Sequence, residues 1–500
     1  MAQKRGAQGN SFRSLMIATA ISLAGLLYGL DTGIVATTIA HDSFKKYMYG
    51  STATNTKLQG GIVAGYYAGS AVGSAAASYC MDRISRRWSL LFGSVVSVVG
   101  AVLQACAMNP AMMIVGRAFS GFSTGMVYPV APVYLSEISP PENRAFLVGL
   151  KGVWNTFGFF LAGWIGYAGA FASGDIQWRV PLATQAPPAA VLAVLTFFLP
   201  YSPRWLIMRE RYEEAESTMR YLHAHRSQDF ISQEYNEMQA QVQLEAQHKT
   251  KSNLLRLFSK QYIRRTLLGT WIVQMCKLSG SNIIQNYQNV MYANLGYEGN
   301  TALLITAIYG FMALVGQIFS IFTVADHWPR RRTVITGWLA LAGCLIVLTI
   351  LSALYGEDGN PNKAGQRAGI AFIFLFALSY SVFFNSAVWV IVAEIFPLEL
   401  RAVGVGWSTF SQYLTAIWLS YGASYAFEVI TWKFYFVFIA TNVFSAVVYY
   451  IWFPETNQLS LEQIAIAFGD PVADSVICGA GKKLDLEEAE HIEEMRQEKA

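Results

Sequence analysis

The segment "YLSEISPPENRAFLVG" (134–149) is echoed later in the chain by "IVAEIFPLELRAVGVG" (391–406). In each copy a glutamate precedes an arginine by seven positions: Glu137 with Arg144, and Glu394 with Arg401. Two more echoes keep the same order. "DRISRR" (82–87) matches "DHWPRRR" (326–332), with Asp82 and Asp326 in equivalent places, and "PYSPRWL" (200–206) matches "PETNQLSLEQI" (454–464). Three ordered echoes at equivalent positions describe two pseudo-equivalent halves, with a cavity expected where they meet.

The runs between the echoes are apolar. The 500-residue chain is 54% hydrophobic and only 14% charged, against about a quarter charged in soluble domains. Stretches such as "SLMIATAISLAGLLYGL" and "FVFIATNVFSAVVYYIWF" are long enough to cross a hydrocarbon core of about 30 Å as helices. The expected fold is an all-α polytopic membrane protein, with twelve transmembrane helices in two pseudo-equivalent six-helix bundles. The spans are placed near 14–40, 57–79, 88–108, 111–134, 147–170, 180–200, 266–292, 300–324, 333–354, 368–394, 402–427 and 432–453. This divides the chain into an N-terminal segment (1–13), a first bundle (14–200), a central loop (201–265), a second bundle (266–453) and a tail (454–500).

Basic clusters orient it. "DRISRR", the 201–264 stretch and "PRRR" (329–332) fall on one side, although "FKK" (44–46) lies on the other. The positive-inside rule puts both termini and the central loop in the cytoplasm. The first apolar run is too long for a cleaved signal and is followed by further spans. The five cysteines are scattered, in no disulfide or metal-binding array, and read as packing residues. No cofactor, metal or nucleic-acid partner is expected. "GFSTG" (121–125) matches the G-x-S-x-G elbow formally, but it lies inside a span without the acid and histidine such a nucleophile needs. No Walker A sequence is present, so the chain reads as neither an enzyme nor an ATP-driven pump.

The motifs "DRISRR", "GRAFSGFSTG", "PVYLSEISPPENR", "SPRWL", "LSGSN", "WVIVAEIFP", "LELRAVG" and "PETNQLSLEQ" occur in an order that resembles the sugar porter family of the major facilitator superfamily, of the fungal type. The resemblance covers residues 14–468. It implies alternating access by two rocking bundles and a sugar-like substrate, with the plasma membrane as the usual location.

Intramembrane charges mark candidate chemistry. Asp31 lies inside the first span, and Arg117 in "VGRAFSG" is its expected partner. The resemblance implies that such an acid carries a proton and pairs with this arginine, coupling protonation to conformation; a permanent structural ion pair is the other reading. At the cytoplasmic helix ends stand Asp82, Arg83, Arg86, Arg87, Glu137 and Arg144, and in the second half Asp326, Arg330, Arg331, Glu394 and Arg401. Arginines alone would serve topology, and the acids add nothing to it. The resemblance implies salt bridges that hold the outward-facing state. Ser78 and Ser85 stand where the family has glycines, so a looser helix approach is expected there. Gly65, Gly69 and Gly73, at four-residue spacing, read as helix packing.

Lys277 is the unusual residue. No other charge lies between Arg265 and Glu298, so its ammonium sits far from any polar anchor. In the family, sugar hydroxyls meet amides on spans five, seven and eight and a tryptophan on span ten. Asn282 and Trp389 match such places, and Gln412 stands for a span-eleven asparagine. The span-seven glutamine pair is replaced by Cys276 and Lys277, the span-five glutamine by Gly152, and the span-eight asparagine falls near Leu314. Lys277 is expected to await an anion such as a sugar acid or cyclic hydroxy-acid, with Lys151 as a second positive group. It reads alternatively as a lysine held neutral by its surroundings, or one snorkelling from the cavity, which leaves a neutral sugar or polyol as substrate. Trp389, Trp154 and Tyr287 offer ring faces for stacking. The leading expectation is a proton-coupled transporter for a sugar-like solute, acting as a monomer. An exporter or uniporter of a sugar-derived metabolite, and a non-transporting nutrient sensor, are the alternatives; the short 455–500 stretch speaks against the sensor.

Overall fold

The computed structural model describes residues 12–51, 55–139, 144–224, 226–247, 253–297, 299–324, 327–355, 362–456, 464 and 468, and every regular element among them is a helix. Without water inside a bilayer, a spanning chain satisfies its backbone groups within itself, which a helix does. The first half holds α1 (Phe12–Thr38), α2 (Asp42–Tyr49), α3 (Thr56–Arg83), α4 (Arg86–Ala105), α5 (Pro110–Ile138), α6 (Arg144–Gly169), α7 (Ile176–Ala183) and α8 (Ala186–Thr196). A central group follows: α9 (Pro203–Met208), α10 (Tyr212–Leu222), α11 (Gln228–Gln247) and α12 (Asn253–Leu257). The second half holds α13 (Ile263–Leu278), α14 (Ser281–Asn294), α15 (Gly299–Thr323), α16 (Arg330–Tyr355), α17 (Lys363–Phe383), α18 (Ala387–Ile395), α19 (Leu398–Val429) and α20 (Tyr435–Trp452).

Seven helical stretches among the described residues are long and apolar enough to cross a membrane. Helices α3, α5 and α19 are as long but richer in Gly, Ser and Tyr. α5 shows why: it is buried almost continuously from Ser123 to Ile138, so protein rather than lipid surrounds it. Local signals start several helices. Asn109 accepts from Met112 N at 2.8 Å with Pro110 following it, and Asn362 accepts from Gly365 N at 3.1 Å.

α1 packs on α6, α3 on α5, and α4 on α5 and α8; in the second half α13 packs on α19, α15 on α17, and α16 on α17 and α20. The halves meet along two seams, α3 against α19 and α6 against α15, and α1 touches α14. Within the first half the contact is close. A Cβ at Gly69 or Gly73 would overlap the carbonyls of Ala118 or Phe122, and one at Gly121 or Gly125 those of Tyr66 or Ser70. Small residues on both helices let the backbones touch.

The approach at Ser78 is tight rather than loose. Its hydroxyl fills the space beside Gly406 on α19, where a Cβ would overlap it. The missing side chain is thus supplied by the opposite half. Ser85 takes φ 112 and ψ 165, a conformation natural to glycine.

Three expected spans are broken. The sixth divides between α7 and α8, where Pro187 and Pro188 open the second piece with no N–H to donate. The seventh divides at Gly280, whose φ of 98 suits a residue without a Cβ. The tenth divides around Asn385, whose side chain bonds to groups outside its own helix. The central helices bury a small core of their own around Trp205, Met219, Ile231 and Met238. They dock on the first half through Trp205 Nε1 to Asp82 O at 3.3 Å and Arg209 to Asp82 O at 2.9 Å.

Candidate functional site

A cavity lies between the halves beside two of the helix breaks. Tyr28 of α1, Tyr128 of α5 and Asn155 of α6 face Lys277 of α13, Trp389 of α18 and Gln412 of α19 across it. Broken helices around a central cavity expose backbone and polar side chains where a solute can reach them.

Asp31 and Arg117 meet beside this cavity. Arg117 Nη1 lies 2.7 Å from Asp31 Oδ1, and donates to Asp31 O at 3.1 Å. Thr124 Oγ1 donates to Asp31 Oδ2 at 3.2 Å, Gln104 Oε1 lies 3.4 Å from the guanidinium, and the ring of Tyr66 covers it at 4.3 Å. Both charged side chains are buried, so each depends on the other for compensation.

Lys277 Nζ donates to the hydroxyl of Tyr28 at 2.9 Å. Tyr28 stacks on Tyr128 with centroids 4.3 Å apart. Lys151 Nζ sits 3.3 Å from the centroid of Tyr128 and 4.0 Å from that of Trp389. A ring face already covered by a stacked tyrosine has no room for that ammonium, so Lys151 occupies the opposite face of Tyr128. Lys151 is 1% exposed and its Nζ has no hydrogen-bond partner among the described residues. The aromatic faces compensate it partly, at roughly 2 kcal/mol for a desolvated cation–π contact.

Amide bridges join the halves. On one seam, Asn155 Nδ2 donates to Asn385 Oδ1 at 2.8 Å, Asn385 Nδ2 donates to Gly152 O at 3.0 Å and Gln317 Oε1 at 2.9 Å, and Gln317 Nε2 donates to Ser386 Oγ at 2.6 Å. Where α14 meets the first half, Tyr67 of α3 donates to Asn282 Oδ1 at 2.8 Å and Asn289 Nδ2 donates to Ala36 O of α1 at 2.7 Å.

Of the residues singled out in the sequence, Lys277, Trp389 and Gln412 line the cavity. Lys151 stands behind Tyr128 and Trp389, and occupies part of the indole surface that a ring was expected to use. Asn282 is fully buried, with its amide engaged by Tyr67 and by Ser420 at 2.8 Å. Tyr287 donates to Ser420 O at 2.6 Å, and Trp154 packs edge-on against Phe157. Gly152 faces Gln317 and Ser386 rather than the cavity. Sequence reasoning missed Tyr28, Tyr128, Asn155, Gln285 and Asn385, all on the cavity wall. The amides were visible as polar groups within apolar spans. The tyrosines were not, in a chain with 26 of them.

At the helix ends, Arg86 Nη2 lies 2.8 Å from Glu137 Oε1, with Asp82 4.0 Å from the same guanidinium. Ser202 Oγ donates to Glu137 Oε2 at 2.6 Å. Arg83 stacks on Tyr79, and Arg87 donates to Phe197 O at 2.7 Å. In the second half Arg330 Nε lies 3.9 Å from Glu394 Oε2, and the backbone N–H groups of Arg330 and Arg331 donate to Glu455 at 2.7 and 3.1 Å. Arg401 Nη2 donates to Phe396 O at 3.4 Å. Asp326 and the side chain of Arg144 lie outside the described residues.

The profile of the family described as "Sugar (and other) transporter" matches residues 17–468. The MFS-type transporter criB of Aspergillus cristatus is 33% identical over 450 residues, which cover 90% of this chain and 92% of that one. A high-affinity glucose transporter of Kluyveromyces lactis is 29% identical over 459 residues, covering 88% and 82%. Among solved structures, the proton:xylose symporter XylE bound to 6-bromo-6-deoxy-D-glucose superposes with a TM-score of 0.80, covering 91% of this chain and 99% of that one at 21% identity, a likeness of fold.

Proposed function

The chain belongs to the sugar (and other) transporter family of the major facilitator superfamily, a family of multi-pass membrane transporters rather than enzymes, and on that premise we propose a proton-coupled carrier of a sugar-like solute. The solute occupies the cavity between the halves, which rock to expose it to one side and then the other. Protons enter through Asp31, whose carboxylate exchanges a proton for its contact with Arg117 as the halves move. The observation that carries this reading is the buried Asp31–Arg117 pair beside a cavity walled by both halves. Arg86 with Glu137, and Arg330 with Glu394, act as latches at the cytoplasmic ends, and the protein works as a monomer in the plasma membrane.

The test is Asp31→Asn in proteoliposomes with an imposed pH gradient. Proton-driven accumulation is expected to disappear while exchange between equal pools continues. Accumulation unchanged in that variant would remove Asp31 from proton coupling. A second reading, export of a sugar-derived metabolite, is favoured by Cys276 and Lys277 standing where the family's sugar-binding glutamines are expected. The same cycle run outward serves it, because gradients set the direction of a reversible carrier.

A further inference from the structure

Two buried lysines, Lys277 on the cavity wall and Lys151 behind it, have no carboxylate partner among the described residues. Asp31 is already engaged by Arg117 and Thr124, and among the described residues no acidic side chain lines the cavity. Lys277 is buried, and its hydrogen bond goes to a neutral hydroxyl, that of Tyr28. Lys151 is buried on the faces of Tyr128 and Trp389 without a hydrogen bond to any described residue. Two lysines therefore flank one stacked pair of tyrosines, one at the hydroxyl of Tyr28 and the other on the outer face of Tyr128. A buried ammonium is retained where a counter-charge arrives, and aromatic faces replace only part of its hydration.

A neutral sugar would satisfy the amides and leave both ammonium groups uncompensated. A carboxylate would supply what is missing, since it accepts from Lys277 and from the Tyr28 hydroxyl at once. Around that point Gln285 and the amide oxygens of Asn155 and Gln412 are available to hydroxyls, and Phe159 and the remaining surface of Trp389 offer apolar area for a ring.

Resting on the transporter reading above, we propose that this cavity takes the carboxylate of a hydroxylated ring compound, a sugar acid or cyclic hydroxy-acid, anchored between Lys277 and the Tyr28 hydroxyl. Lys151 does not touch the solute. It is a positioning charge, caged behind Tyr128 and Trp389, that keeps the cavity positive in both orientations of the carrier. Selectivity then follows from desolvation: a solute lacking the carboxylate leaves Lys277 unpaired each time the cavity closes.

The purified full-length protein in detergent is the material for the test. The shift in its thermal melting is measured against D-glucuronate, D-gluconate, D-glucose and myo-inositol, beside counterflow of the same solutes in proteoliposomes. Glucuronate is expected to raise the melting temperature where glucose and inositol do not. Lys277→Gln should weaken its apparent affinity at least tenfold, and Lys277→Arg should restore most of it. Lys151→Gln should weaken every acid by a similar factor without changing their order, as a charge at a distance does. If Lys277→Gln does not fold, Tyr28→Phe removes only one hydroxyl and should weaken glucuronate several-fold. Stabilisation by glucose or inositol but by neither acid, by none of the four solutes, or by acids with an affinity indifferent to both Lys277→Gln and Tyr28→Phe, would overturn the proposal. Melting shifts need no gradient and no transport, so the two readings fail separately. Acid binding without counterflow would refute the carrier and leave the anion site; glucose counterflow without acid binding would do the reverse.

Discussion

The ammonium of Lys277 on α13 donates to the hydroxyl of Tyr28 on α1 at 2.9 Å, so one hydrogen bond joins the two halves of the repeat at the cavity wall. Helices of opposite halves slide past each other when such a carrier changes orientation. A contact of this kind is therefore made in some orientations and lost in others. Under the proposal above, a solute bound at Lys277 would compete for it, so that substrate binding and movement of the halves would share an atom.

Removing Arg117 leaves the buried carboxylate of Asp31 without its partner. Arg117→Met should destabilise the protein by about 3–5 kcal/mol, the usual cost of stranding one member of a buried pair. Asp31→Asn together with Arg117→Met should recover much of that loss, because neither charge is then stranded. Melting curves of the four proteins in detergent measure the coupling. Strictly additive losses would show that the pair contributes nothing jointly.

Glu137 receives Arg86 and Ser202 at once, with both members of the ion pair buried. Glu137→Gln should free the ends of α4, α5 and the central helices to part. Cys276 reports the opening, since it is a free, buried thiol on the cavity wall. A membrane-impermeant maleimide on the cytoplasmic side should label it several-fold faster in Glu137→Gln than in the wild type. Equal labelling rates would mean the pair is not a latch.

Ser85 sits at φ 112 between α3 and α4, a backbone region nearly restricted to glycine. Ser85→Gly should stabilise the fold by about 1 kcal/mol through relief of that strain, less a few tenths for the lost cap to Trp88 N. The measurement is the melting temperature, and a fall on substitution would show that the hydroxyl matters more than the strain.

His41 is buried at the outer end of α1, and burial holds its pKa below the ordinary 6.5, opposed by a backbone hydrogen bond at Gly166 and by Asp42. The unfolded chain thus binds the proton more readily than the folded one. Stability from this group is fully present above about pH 6.5, and is lost as pH falls below that value. His41→Gln should flatten the decline in melting temperature between pH 7.5 and pH 5.5. A decline as steep as the wild type's would place the acid sensitivity elsewhere.

The meeting of Asp31 with Arg117 was legible before any coordinates, because charges in apolar spans require partners and few were on offer. Glu137 could be placed at a helix end but not paired. Its link to Ser202 joins the end of α5 to the start of α9, which are distant in sequence. Asn282 matched a family position, yet Tyr67 and Ser420 take its amide, which depends on how α3 and α19 lie beside α14. Tyr28 and Tyr128 carried no distinguishing signal, since tyrosine in an apolar span is most often packing.

The sequence alone determined the helical membrane fold and its two halves, because period, apolar length and repeated charge motifs are properties of the chain read locally. It also determined that Lys277 is out of place, since a charge at that depth in hydrocarbon is costly unless something compensates it. Only the tertiary structure decided what meets that lysine. The tyrosine stack, the cage around Lys151 and the amide bridges are contacts between different helices, several of them far apart in the chain, and their geometry follows from packing directions that no local pattern encodes.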